Sequence, residues 1–111
     1  MFFYKIPVRI ANLLEYKYEE FNTTQWSFRL FRVGKIGICY AWSNILTNAE
    51  SEVQLPIWFK PAQPIGAAAT GNSSNYNGEI YIYPNGKFVW ACVATDRESA
   101  YTGEIVCVLQ D

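Results

Sequence analysis

The segment from Gly78 to Val93 constrains the fold of this chain most, because it contains two alternating strands around a turn. The turn is Pro84-Asn85-Gly86. Its proline sets φ at the first central position of a type I turn, and its glycine accepts the left-handed conformation of a following bulge. The segment therefore predicts an antiparallel β-hairpin. Its alternation predicts one face with Ile80, Ile82, Phe88, Trp90 and Cys92, and another with Tyr81, Tyr83, Val89, Ala91 and Val93.

A second alternating segment, Lys35 to Trp42, has one large and one small face. Because small side chains do not hold backbones apart, we expect the small face to approach another sheet or a symmetry mate closely. Gly34 precedes the segment and is predicted to form a bulge or bend after an extended stretch from Phe28 to Val33. The large face carries Ile36, Ile38, Tyr40 and Trp42, and the small face carries Gly37, Cys39 and Ala41.

The remaining segments complete an all-β pattern. Val53 to Trp58 is predicted to be a short strand at an edge or a strand end, since Pro56 lies inside it. Ile65 to Thr70 is rich in Gly and Ala, and Gly71 to Gly78 is predicted to be a loop. Tyr101 to Leu109 is predicted to be the last strand, with Ile105, Cys107 and Leu109 opposite Val106 and Val108. Near the N-terminus, Val8 to Phe21 fits helical spacing moderately, and an irregular arm fits equally well.

The composition bounds the architecture and the association state. A chain of 111 residues is expected to form one domain with a single core. Aromatic residues make up 17% of it and charged residues also 17%, the latter below the usual share of about 25%. A small domain cannot hide so many aromatic rings, so some are expected at subunit contacts or in a binding site.

Charge and hydropathy exclude several classes of function. The net charge is −1, and the nine Lys and Arg never form a run of three, which argues against nucleic-acid binding. No apolar run approaches a membrane span, and the start of the chain does not read as a signal peptide. Three cysteines, Cys39, Cys92 and Cys107, lie in apolar alternating runs. We interpret them as small hydrophobes in a protein made in a reducing cytoplasm, rather than as disulfide or redox partners.

Catalytic chemistry is not visible in the sequence. The chain has no histidine, which removes the usual Ser/His and Cys/His nucleophile pairs and the commonest transition-metal ligand. Asp96 and Glu98 flank Arg97 in a polar segment. An acid/base pair or a calcium site there is a weaker interpretation than a solvated loop with a local ion pair. No enzyme activity, cofactor or metal is predicted.

Saccharide binding is the chemistry that the composition favours. Sugar rings present apolar C–H faces to aromatic rings, and their hydroxyls pair with Asp, Asn, Glu and Arg. For Trp58 and Tyr101, core packing or a subunit contact remains the stronger alternative, and for Asn75 and Tyr76 an exposed loop tip is the more common one. Trp42 and Trp90 are predicted to belong to the core. The candidate ligand residues in loops or at strand ends are Trp58, Asn75, Tyr76, Asp96, Arg97 and Tyr101.

From Trp26 onward, the order of segments resembles the C-terminal head (receptor-binding) domains of bacteriophage tail fibres. The resemblance covers about three-quarters of the chain and rests on spacing and turn residues. Its elements are Trp26, Val33-Gly34-Lys35-Ile36-Gly37, Gln54-Leu55-Pro56 with Lys60-Pro61, the loop Gly71 to Gly78, the hairpin Ile80 to Phe88, and a closing strand from Tyr101 to Val108.

This resemblance implies an antiparallel β-sandwich or jelly-roll-like head over residues 26–111. Residues 1–25 lie outside the resemblance and are interpreted as an N-terminal arm or neck segment, or as a strand added to the sheet. The resemblance also implies a homotrimer on the virion tail tip, made in the host cytoplasm. The head would recognise the host by binding bacterial cell-surface polysaccharide and would contact other tail or baseplate proteins. Two alternatives stay open: a structural virion or assembly protein without a ligand, and a small polysaccharide-degrading enzyme.

Overall fold

The protein is an all-β, antiparallel domain, as the sequence predicts. The computed structural model describes residues 15–44, 52–71, 77–92 and 100–110, with Asn77 and Cys92 described in the backbone only. These residues form eight strands and no helix. The strands are β1 (Tyr16–Asn22), β2 (Trp26–Val33), β3 (Ile36–Ser43), β4 (Glu52–Gln54), β5 (Ile65–Gly71), β6 (Asn77–Ile82), β7 (Lys87–Cys92) and β8 (Tyr101–Val108).

All eight strands belong to one hydrogen-bonded sheet in the order β1-β2-β3-β8-β5-β6-β7-β4. The sheet curls over itself, so that the side chains of strands far apart in this order come into contact. The ring centroids of Trp26 on β2 and Phe88 on β7 are 4.9 Å apart. Two halves of a continuous sheet therefore enclose the core in a sandwich-like way.

The first described strand joins the sheet outside the segment that resembles a head domain. Strand β1 pairs with β2 over seven residue pairs, from Tyr16 opposite Val33 to Asn22 opposite Ser27. The helical interpretation is therefore wrong from Tyr16 onward. The exposed and half-buried side chains of β1 follow strand geometry, with Glu19 and Phe21 facing inward. The division of the chain at residue 25 stays a prediction.

Two tight turns set the register of the hairpins. Gly34 has a φ of 60°, and it forms a two-residue turn with Lys35 rather than a bulge, since Val33 pairs directly with Ile36. A positive φ at the first position alone matches a type II′ turn. The predicted turn before β7 is confirmed: Gly86 has a φ of 83°, and its N–H donates to the Tyr83 carbonyl at 2.8 Å.

Strands β4 and β5 differ from what their local sequence predicts. Strand β4 is shorter than predicted and ends at Gln54, before Pro56, and it lies at the sheet edge as predicted. Strand β5 forms from a Gly- and Ala-rich sequence of low β-propensity. Strand β5 is paired on both sides, with β6 and with β8, and this pairing stabilises the strand where its own side chains contribute little.

The core is an aromatic cluster against the small face of β3. Gly37, Cys39 and Ala41 are buried, and the Leu109 side chain lies directly over Gly37. The close approach of another sheet or of a symmetry mate to this face stays a prediction. Trp90 is 7% exposed and belongs to the core as predicted. Trp42 was also predicted to belong to the core, and that prediction is wrong: its side chain is half-buried on the opposite surface of β3.

Candidate functional site

Four of the six predicted ligand residues, Asn75, Tyr76, Asp96 and Arg97, lie outside the described residues. Only Trp58 and Tyr101 have described positions.

Trp58 packs against the inward side of β1. Its indole Nε1–H donates to Glu19 Oε1 at 2.8 Å, and Lys17 Nζ lies 5.1 Å from the ring centroid. The ring also meets Phe59 edge to face at 5.6 Å. The side chain is half-buried, and its one polar atom is occupied within the chain. These contacts match the packing alternative.

Tyr101 is part of the core. Its side chain is only 1% exposed, and its ring centroid lies 4.3 Å from that of Trp90. Its backbone N–H donates to the Ser43 hydroxyl at 2.9 Å, which anchors the start of β8 to the end of β3. A surface ligand does not reach this ring, so Tyr101 also follows the packing alternative.

The surface that stands out is the outer face of β1, β2, β3 and β8. Cross-strand pairing places its side chains in four rows, each with one residue from every strand. The two rows nearest the Gly34 turn contain no charge and are called the apolar half. They consist of Tyr16, Val33, Ile36 and Val108, and of Tyr18, Phe31, Ile38 and Val106.

The apolar half is open to solvent. Tyr16 is 63% exposed, and Val106 and Val108 are each 54% exposed. From β1 to β8 the four strands span roughly 14 Å at the usual interstrand spacing. Contiguous exposed apolar surface of this kind marks interaction sites in soluble proteins.

A cavity of about 550 Å³ extends the apolar half beyond β8. Its wall is formed by Ile36, Val106 and Val108 together with the segment from Ala62 to Ile65. That segment is fixed to β8 by the Ala62 N–H, which donates to the Val108 carbonyl at 2.8 Å. The apolar surface thus continues from the sheet into a concave rim.

The other two rows of the outer face combine aromatic and polar groups and are called the mixed half. A depression of about 310 Å³ lies there, lined by Arg29, Phe31, Tyr40 and Trp42. Arg29 holds its guanidinium carbon 5.3 Å from the Trp42 ring centroid and its Nε 3.9 Å from Glu20 Oε1. The rows are Glu20, Arg29, Tyr40 and Glu104, and Asn22, Ser27, Trp42 and Thr102.

The alternation of β3 contains the signal for this surface. It grouped Ile36, Ile38, Tyr40 and Trp42 on one face correctly. Alternation alone does not say which of two apolar faces is inside, and large side chains usually are. Here the small face is inside: Cys39 and Ala41 belong to the buried core, and Leu109 covers Gly37.

Neither described thiol is suited to nucleophilic or redox chemistry. Cys39 and Cys107 are free and buried. Burial raises the pKa of the Cys39 thiol far above its ordinary value, with a smaller contribution from Cys107. Burial also raises the pKa of Cys107 to about 11. No cluster of three or more His, Cys, Asp or Glu that could hold a metal occurs among the described residues.

We predict that these two thiols are inert in the folded protein, because the thiolate is the reactive form. In a Cys92→Ser variant at pH 8, an aromatic disulfide reagent is expected to titrate neither thiol before denaturation and both after it. Fast labelling of the folded variant would contradict the prediction.

The raised thiol pKa values also predict a pH dependence. Above about pH 8.5 the unfolded chain loses thiol protons that the folded chain keeps. Stability is therefore full below that pH and falls as the pH rises towards 11, by up to about 1.4 kcal/mol per pH unit for each thiol. Urea unfolding between pH 8 and 10 measures the slope, and Cys39→Ala is expected to make it shallower.

A scan against protein-family models gave no match, and a search of curated proteins also gave none. Within the described parts of the chain, no helix is long and apolar enough to cross a membrane.

Proposed function

We propose that this domain is a non-enzymatic host-recognition head of a phage tail fibre or baseplate. It would act as a homotrimer that binds bacterial cell-surface saccharide. The observation that carries the proposal is the outer face, where an apolar half suited to subunit contact adjoins a mixed half of aromatic and polar groups. The antiparallel all-β architecture and the resemblance in segment order add support.

The apolar half supports the oligomeric part of the proposal. Three copies that turn this half towards a common threefold axis would remove its eight side chains from water. Burial stabilises by about 25 cal/mol for each Å² of apolar surface. None of the eight is charged, so no ion would have to be desolvated at that contact.

We predict that a charge in this half dissociates the assembly. The wild-type protein is expected to run as a trimer in multi-angle light scattering at micromolar concentration. Ile38→Lys and Val106→Lys are each expected to give a monomer, because a buried ammonium without a partner is costly. Tyr83→Lys is the control, since Tyr83 is exposed at the β6–β7 turn. A monomeric wild-type protein would count against the proposal.

A structural virion protein without a ligand is the second candidate, since the apolar half supports it equally well. A stable oligomer that binds no glycan on an array would favour it. A polysaccharide-degrading enzyme would require release of reducing sugar from host capsule, with that activity lost in Asp96→Asn or Glu98→Gln.

A further inference from the structure

We infer that the mixed half is the saccharide site, and that it takes a neutral sugar ring against Tyr40 with Arg29 and Glu104 on either side. This assignment rests on the proposed saccharide-binding function and gives it a location. It differs from the loop and strand-end residues that the sequence indicated.

The mixed half contains an accessible aromatic platform, the ring of Tyr40. Tyr40 is 46% exposed at the centre of a four-stranded face, and the depression beside it is bounded by Phe31 and Trp42. A ring on a paired strand has few conformations to lose when it binds, so stacking there has a low entropic cost. The apolar C–H face of a pyranose needs such a surface.

Polar groups lie on both sides of this platform. Arg29 lies directly across from Tyr40 on β2, and Glu104 lies directly across from it on β8. The backbones of these two neighbours are thus about 10 Å apart, two interstrand spacings. A guanidinium donates to sugar hydroxyls, while a carboxylate accepts from them, and two carboxylate oxygens suit vicinal hydroxyls.

Arg29 is held in place by two neighbours. Its guanidinium lies over the Trp42 ring and 3.9 Å from Glu20, and these contacts restrict a side chain that is still 55% exposed. Trp42 is therefore a positioning residue for Arg29, and Tyr40 is the stacking residue. In this assignment the half-buried ring is that of Trp42, and the exposed ring is that of Tyr40.

The net charge of the row that contains Glu20, Arg29, Tyr40 and Glu104 indicates the class of sugar. Glu20 and Glu104 contribute two negative charges against the single positive charge of Arg29. A uronic or sialic acid would meet net repulsion, and so would a phosphorylated sugar. A neutral hexose or N-acetylhexosamine unit fits the row, and three copies on one particle would convert weak single contacts into useful avidity.

The test is a titration of the assembled wild-type protein with glucose, galactose, rhamnose and N-acetylglucosamine, followed by amide chemical shifts in NMR. Shifts are expected in β3 and β8 around Tyr40 and Glu104, but not around Trp58. Tyr40→Ala is expected to weaken the per-site Kd about tenfold, as loss of one stacking contact predicts. Tyr40→Phe keeps the ring and is expected to stay within about threefold of wild type.

Tyr83→Ala is the matched control, since it removes an exposed tyrosine from the other half of the sheet. If circular dichroism shows that Tyr40→Ala does not fold, Glu104→Gln is the second variant to test, because it keeps the shape of the side chain. Unchanged binding in both site variants would overturn the site and leave the proposed function standing. A wild-type protein that binds none of the sugars would overturn both.

Discussion

Replacing Phe88 with alanine is expected to lower the free energy of unfolding by about 3–5 kcal/mol. Phe88 is fully buried, and its ring meets Trp26 and Phe28 edge to face, each at a centroid distance of 4.9 Å. Those rings belong to β2, in the opposite half of the curled sheet, so the substitution opens a cavity where the two halves meet. The rigid rings around it cannot collapse to fill the space.

Urea unfolding followed by circular dichroism measures this loss, at one chain concentration for every variant because association shifts apparent stability. A domain with a total stability of about 5–15 kcal/mol would be left marginal. Tyr83→Ala, in the same hairpin but 40% exposed, is the control and is expected to change stability by less than about 0.5 kcal/mol. A Phe88→Ala effect no larger than the control would refute the described core.

Gly78→Ala is the second large effect we expect, a loss of about 1–3 kcal/mol from a single added methyl. A Cβ at Gly78 would lie 2.2 Å from the Trp90 ring and 2.8 Å from the Ala91 carbonyl oxygen. Trp90 is buried between Trp26 and Tyr101 and cannot turn aside. The β6–β7 ladder would have to separate or shift, which weakens the hairpin that contributes Ile80, Ile82, Phe88 and Trp90 to the core.

Gly66→Ala is a matched control in the neighbouring strand. A Cβ there would approach the Tyr81 ring at 2.6 Å, but that ring is partly exposed and can swing into solvent. Alanine also loses less backbone entropy than glycine in a strand, so a nearly neutral result is expected. Equal losses in the two variants, measured by thermal unfolding, would show that the close contact with Trp90 is not the cause.

The elements that the sequence predicts well combine strong alternation with a specific turn. The β6–β7 hairpin and β8 have their buried and exposed residues on the predicted faces, from Ile80 and Ile82 to Ile105. Strand β5 was not predicted, strand β1 was only one of several interpretations, and the reason is the same for both. In β1, Tyr-Lys-Tyr-Glu-Glu has little apolar alternation, and in β5 the small residues carry none. Both are strands because a neighbouring ladder pairs with them, which no local pattern reveals.

The candidate site was harder to predict than the fold. Sequence reasoning sought ligand residues in loops and at strand ends, where aromatic and polar groups meet within a few positions. On the outer face, Arg29, Tyr40 and Glu104 come from three strands and are brought together only by cross-strand register. Which face of β3 lies outside depends on what covers its small side. Part of that cover is Leu109 over Gly37, and Leu109 is far from β3 in sequence.

The central position of β8 has a consequence for how the protein is made. This strand follows the other seven described strands in the sequence, yet it joins β3 on one side to β5 on the other. Until β8 has left the ribosome, the described strands of the nascent chain form two separate groups, β1 to β3 and β4 to β7. Completion of the sheet therefore waits for the emergence of β8. A product truncated before Tyr101 would have two half-sheets with open edges, suited to aggregation and to rapid proteolysis.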